Sequence, residues 1–150
     1  MEISNVNSKL YQKTLEWLLA RPRSIAETRI YLSRKKSEED KEEIINQLIS
    51  RNYLNDTDFA KFYAQNRRIN RGISHRRLEL ELKQKGIPDS IITQALTESP
   101  RDDQAEITKI IAKKRAKYDD QQLIAYLVRQ GFDYESAKTA VQQTDSRNSE

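Results

Sequence analysis

The chain has 150 residues, 33% of them charged and 36% hydrophobic, with three glycines and three prolines; this lean apolar content disfavours one thick core and favours thin helical layers. Lys and Arg number 27 against 23 Asp and Glu, a net charge of +4, and the sequence pI of about 9.2 permits a polyanionic or acidic partner. The lack of Cys excludes disulfides, thiolate metal sites and a Cys nucleophile, and a lone histidine, His75, excludes clustered zinc ligands or a Ser/His/Asp constellation elsewhere in the chain.

Apolar residues recur at helical spacing almost throughout, with no convincing period-two alternation. Tyr11, Leu15, Leu18 and Leu19 mark a first helix that stops near Pro22. Ser24 caps a second, carrying Ile25 and Leu32; Ser37 is expected to cap a third, with Asp40 three residues on and then Ile44, Ile45, Leu48 and Ile49. Asp56 or Thr57 opens a fourth with Phe59, Phe62, Tyr63 and Ile69, ending at Gly72. Ser74 caps a fifth, with Leu78 and Leu82 toward the core, ending at Gly86; Pro88 begins a sixth with Ile91, Ile92, Ala95 and Leu96. After a break at Pro100, Ile107, Ile110 and Ile111 give a seventh. Leu123 and Leu127 give an eighth, closed by Gly131, and Asp133 caps a ninth with Ala137, Ala140 and Val141. No run approaches a membrane span, and MEISNVNSKL lacks the apolar core of a signal peptide, so a soluble cytoplasmic protein is expected.

Three triplets align: YLSRKKSEEDKEEIINQL, LELKQKGIPDSIITQAL and YLVRQGFDYESAKTAV. Leu32, Leu82 and Leu127 share one position; Lys36, Gly86 and Gly131 share another four residues on. Glycine there suits a helix that ends in a left-handed residue, and Lys36 would cost about 1 kcal/mol in the same turn. The expected fold is all-α: three tandem three-helix repeats at 8–55, 56–99 and 100–143, between a flexible N-terminus at 1–7 and a flexible tail at 144–150. Stacked repeats make an elongated, curved array; one globular bundle of look-alike helices is the other arrangement the pattern allows.

Positive charge gathers in three places. In RINRGISHRRLELELKQKGI and the residue before it, Arg67, Arg68, Arg71, Arg76, Arg77, Lys83 and Lys85 stand against two acids, Glu79 and Glu81. Gly72, Ser74 and Gly86 have helix-ending and helix-starting duties there, and Arg77 is placed to pair with Glu81, yet the arginines still crowd one helix junction. The seventh helix carries Lys109, Lys113, Lys114, Arg115 and Lys117 without an interleaved acid. Lys109, Lys113 and Lys117, at i, i+4 and i+8, repel by about 0.2–0.5 kcal/mol per pair. The helix macrodipole favours Arg115 and Lys117 near a C-terminus but leaves Lys109 unexplained, whereas a phosphate backbone or acidic protein groove accounts for all of them. Arg21 and Arg23 bracket Pro22. RGIS has the length of a helix–turn–helix turn, but the helix after it offers only Arg76, Arg77 and a late Gln84 to base edges, so sequence-specific readout is not favoured. The carboxylates cap helices or lie on solvated faces, no phosphate-cradling GxxxxGK[ST] occurs, and no enzyme activity, cofactor or metal is expected.

RPRSIAETRIYLSRK (with Arg21, Ser24, Glu27 and Leu32), YLNDTDFAKFYAQNR, and GISHRRLELELKQKGI followed by IITQAL together resemble the RecX family of bacterial recombination regulators, over roughly Lys9 to Thr144. Asn55 stands where a second acid is common, Asp58 where a base is usual, and Lys36 replaces glycine. The resemblance implies an elongated, non-catalytic protein of three-helix repeats lying in the deep groove of the RecA–DNA filament. Such proteins impede filament growth, ATP hydrolysis, strand exchange and coprotease activity in recombination, DNA repair and the SOS response. The cations above would then meet RecA, or the backbone of single- or double-stranded DNA, with the protein acting as a monomer and away from membranes. A stand-alone, sequence-independent DNA-binding protein is the alternative.

Overall fold

The computed structural model describes residues 8–66, 71–99 and 102–148, with side chains through Thr144. Among these residues there is no strand, and nine helices follow in order. They are α1 (Lys9–Ala20), α2 (Ile25–Ser33), α3 (Lys41–Ser50), α4 (Asp56–Gln65), α5 (His75–Gln84), α6 (Asp89–Glu98), α7 (Asp103–Lys114), α8 (Asp120–Arg129) and α9 (Tyr134–Asn148). The all-α expectation holds.

Most helices start where a short polar side chain can satisfy an orphan N–H. Ser24 accepts from Glu27 N at 3.0 Å while Glu27 reaches back to Ser24 N at 2.9 Å, a complete capping box. Asp119 and Gln122 repeat it on α8 at 2.8 and 3.0 Å. Ser74 caps α5, and Asp133 caps α9. One start differs from the sequence expectation, and α4 opens at Asp56 as expected. Asp40, not Ser37, caps α3, because its carboxylate accepts Glu43 N at 3.1 Å; Ser37 instead accepts Glu39 N within the preceding turn. Asn55 caps α4 through Asp58 N at 3.0 Å, which frees Asp56 to accept Ile25 N at 2.9 Å. Burial raises the Asp56 pKa, against the lowering effect of that Ile25 N–H. Ile69 and Pro100 lie outside the described residues.

The chain divides into two compact units, Met1–Tyr63 with Leu82–Ala95, and Ala64–Glu81 with Leu96–Glu150. The first has a core of Leu10, Tyr11, Leu18, Leu32, Ile44, Ile45, Leu48 and Leu54. The second has Ile107, Ile110, Ile111, Leu123, Leu127, Phe132, Ala137 and Val141. Leu78 and Leu82 are fully buried, as their spacing predicts; Leu19 and Ile49 are exposed.

Each unit contains one joint of the same design, in which the N-terminal turn of a helix meets the glycine that ends another. In the first unit the 82–86 segment closes with Ile87 N bonded to Leu82 O at 3.2 Å and Gly86 N to Lys83 O at 3.0 Å, with Gly86 at φ +80°. In the second, Phe132 N bonds Leu127 O and Gly131 N bonds Val128 O, with Gly131 at φ +97°. Both are Schellman endings. The Ser24 hydroxyl donates to Lys85 O at 2.7 Å, and the Lys85 ammonium pairs with Glu27 at 3.1 Å. In the second unit Ser74 N donates to Gln130 O at 3.1 Å, and Arg77 reaches Arg129 O at 3.0 Å. A Cβ on Gly86 would lie 2.4 Å from Ala26 Cβ; one on Gly131 would lie 2.5 Å from Ser74 Oγ and 2.6 Å from Arg77 Cβ. The glycines are therefore required twice over, for backbone conformation and for close approach. Helix α2 ends otherwise: Arg34 N bonds Tyr31 O, Lys35 N bonds Leu32 O, and Lys36 is not among the left-handed residues. Lys36 thus avoids the strain that the glycine-type turn would impose on it.

Candidate functional site

The RGIS turn is fastened from both sides within the second unit. Gly72 N donates to Glu106 Oε1 at 3.2 Å, and the Gln130 side-chain amide donates to Gly72 O at 3.0 Å. His75 N donates to Asp103 at 3.0 Å. Glu106 is only 4% exposed, so its carboxylate has a bonding duty inside the fold and is not part of a solvated face. This pinning brings Arg71 beside α7, where Arg71, Lys109, Lys113 and Lys114 surround a concavity of about 390 Å³ floored by Glu106, Ile110 and Tyr126. Lys109 and Lys113 are exposed, on the face away from the buried Ile107 and Ile111. The Lys114 ammonium sits 4.8 Å from the Tyr126 ring centre and 5.5 Å from that of Tyr118, an arrangement that holds its charge at the rim. Four cations around one buried carboxylate leave the concavity positive, suited to anionic groups such as phosphates and lacking the fork-and-amide geometry of base readout.

Sequence reading treated the RGIS region and α7 as separate basic stretches; Arg71 and the α7 lysines form one site. Other cations take different places. Helix α7 ends at Lys114, so Lys117 lies in the following turn and not on the Lys109–Lys113 face. Arg115 pairs with Asp120 and donates to Val141 O at 3.2 Å. Arg77 is committed to Glu81 at 3.1 Å as well as to the Arg129 carbonyl, and Lys85 to Glu27; both serve joints. Arg76, Lys83 and Arg21 are exposed, and Arg67 and Arg68 lie outside the described residues.

Arg23 belongs to a feature that charge counting missed. Its guanidinium lies 4.1 Å from the centre of the Trp17 ring, which stacks on Tyr31 at 4.1 Å and 15°, and Lys35 covers the far side of Tyr31 at 4.5 Å. Trp17 and Arg23 are too far apart in sequence to be neighbours on one helix, so no local spacing signalled the stack. Lys114 and Tyr118, by contrast, are four residues apart, a legible signal. Glu106 and Tyr126 gave no sequence signal as site residues. No group of His, Asp and Glu able to hold a metal occurs among the described residues, and none of their helices is long and apolar enough to cross a membrane.

The family model described as RecX, second three-helix domain, matches residues 55–96. The chain is 33% identical over 149 residues to Regulatory protein RecX of Bacillus licheniformis, covering 93% of this chain and 57% of that relative. It is 29% identical to Regulatory protein RecX of Amycolatopsis mediterranei, covering 84% and 77%. The crystal structure of RecX from Lactobacillus salivarius superposes with a TM-score of 0.68 at 25% identity, over 95% of this chain and 99% of that one. The chain is similar to RecX proteins over nearly its whole length. It spans just over half the length of its Bacillus RecX relatives, 57% and 58%. Within this chain, the RecX-like Ser24 and Glu27 serve the first-unit joint through Lys85, and Asp58 is exposed at the start of α4.

Proposed function

We propose that this RecX-like chain is a non-catalytic, monomeric, cytoplasmic regulator that binds the RecA–DNA filament and restrains its ATPase, strand exchange and coprotease activities in recombination and repair. Similarity to RecX proteins over most of the chain carries the reading. Arg71, Lys109, Lys113 and Lys114 around one concavity support it by supplying a contact for a DNA backbone of either strandedness. Arg21, Arg76, Lys83 and Lys117 are exposed cations that add long-range attraction to the filament. The three-repeat organisation belongs to the same proposal, and the family model for a second three-helix domain at 55–96 supports it.

Titrating the chain into the DNA-dependent ATPase of the cognate RecA tests the proposal. Suppression at or below near-stoichiometric amounts is expected. ATPase unchanged across a wide titration, with both proteins folded, would sink it. The same basic concavity also favours a stand-alone DNA-binding role. That reading requires tight binding to naked DNA without RecA, steeply weakened by salt.

A further inference from the structure

The first unit exposes large apolar side chains that its own core does not use. Leu19 is 70% exposed, Tyr53 47% and Phe62 40%. Isolated exposed apolar residues are ordinary, but these three line a single hollow of about 370 Å³ over Leu18 and Phe59. Tyr53 makes the case sharpest. It follows the left-handed Asn52, at φ 63°, and its N–H bonds Leu48 O at 2.9 Å. Ile87 and Phe132 hold the same place after Gly86 and Gly131, and each is only 4% exposed. The identical backbone ending buries its apolar residue twice and presents it outward here, with Leu54 taking the buried place.

The rim carries opposite charges. Arg21 and Arg23 flank Pro22, and Asp58 lines the same hollow. Arg23 Nε is buried without a hydrogen-bond partner. Burial first, and then the Arg21 charge, hold the Arg23 pKa below its ordinary value. An incoming carboxylate would offset the like-charge contact between Arg21 and Arg23. A nucleic-acid strand fits poorly, because its phosphates would run from two arginines toward Asp58. Tyrosine, phenylalanine and arginine around a hollow match the chemistry of a protein-binding centre.

We propose that this groove docks a partner protein through a large apolar side chain flanked by a carboxylate that meets Arg21 and Arg23. Resting on the RecX reading above, the partner is the protein component of the recombinase filament, and DNA is met by the other unit. The test measures co-sedimentation of the full chain with preassembled RecA–single-stranded-DNA filaments, and in parallel its affinity for the same DNA alone. Leu19→Ser and Arg21→Glu each reduce filament association about tenfold, the loss typical of a hot-spot contact. Naked-DNA affinity after Leu19→Ser stays within about twofold, and thermal unfolding is unchanged because both side chains are exposed. Filament association as strong as wild type in both variants would overturn the groove assignment while leaving the regulator reading standing. Parallel loss of naked-DNA affinity in Leu19→Ser would make the groove a nucleic-acid site and equally overturn it. A concentration-dependent dimer in sedimentation equilibrium that Leu19→Ser abolishes would assign the groove to a second copy instead. Wild type binding filaments no better than naked DNA would remove the regulator reading, and the groove proposal with it.

Discussion

The two joints show how one backbone solution carries different side-chain chemistry. In the first unit Ser24 and Glu27 of α2 meet Lys85 and Gly86, so an acid reaches across to an ammonium. In the second, Ser74 and Arg77 of α5 meet the 129–131 turn, so a guanidinium reaches across to a carbonyl. The sign of the helix-borne charge is reversed, and the glycine stays. Backbone approach at 2.4–2.6 Å from a would-be Cβ leaves no room for another residue, whereas the bridging polar groups need only find some partner. The units differ outwardly as well: the first presents an apolar hollow rimmed by Arg21 and Asp58, the second a hollow rimmed by Arg71 and three lysines.

The largest expected effect comes from closing either joint. Gly86→Ala and Gly131→Ala each combine a left-handed backbone cost with overpacking, about 2–4 kcal/mol together, read as a drop in denaturant midpoint. A loss under about 1 kcal/mol in both would show that the joints open without consequence. Gly72 is the internal control, at φ +78° with nothing within 4 Å of its would-be Cβ, so Gly72→Ala costs only about 1 kcal/mol.

Next in size is the binding contrast between the hollows. Lys109→Ala with Lys113→Ala flattens the salt dependence of naked-DNA binding by about 2 in the log–log slope, and Arg76→Ala by at most about 1. Arg77→Ala leaves that slope alone and lowers stability, since Arg77 is spent on Glu81 and the Arg129 carbonyl. A slope indifferent to the lysine pair would remove the second hollow from DNA binding.

The smallest effect separates the joints by pH. Burial pushes the Glu27 carboxyl up, but the Ser24 N–H and the Lys85 ammonium outweigh it and hold the pKa below the ordinary value. A depressed carboxyl contributes stability above its unfolded pKa and loses it as the pH falls through the folded one, below about pH 4. Asp56, raised by burial, acts with the opposite sign. The wild type minus Glu27→Gln stability difference therefore isolates Glu27, and it should shrink on acidification from about pH 6 to 3. The second joint is bridged by the Ser74 N–H and the Arg77 guanidinium. A Glu27→Gln difference that is flat in pH would show that the Lys85 pair adds nothing to the first joint.

Most helix positions, the capping roles of Ser24, Ser74 and Asp133, the helix-ending Gly86 and Gly131 and the burial of Leu78 and Leu82 were legible in the sequence, whereas the fourth helix, expected to end at Gly72, ends at Gln65. Each legible feature is governed by interactions within about one helical turn, by residue period or by a single residue's backbone freedom. Even there, competition between nearby caps misled: Ser37 lost to Asp40 because the side chain nearer the first orphan N–H groups takes them. Which cations are available was decided by tertiary structure alone. Lys85 looked as free as Lys109 until Glu27, 58 residues away, claimed it, and Arg77, placed by spacing to pair with Glu81, also reaches the Arg129 carbonyl 52 residues away. Arg71 joined the lysines of α7 only because Glu106 and Gln130 hold the Gly72 turn in place. Charge in a sequence fixes the sign of a surface; whether a given charge is spent inward or offered outward depends on groups that only folding brings within hydrogen-bond reach.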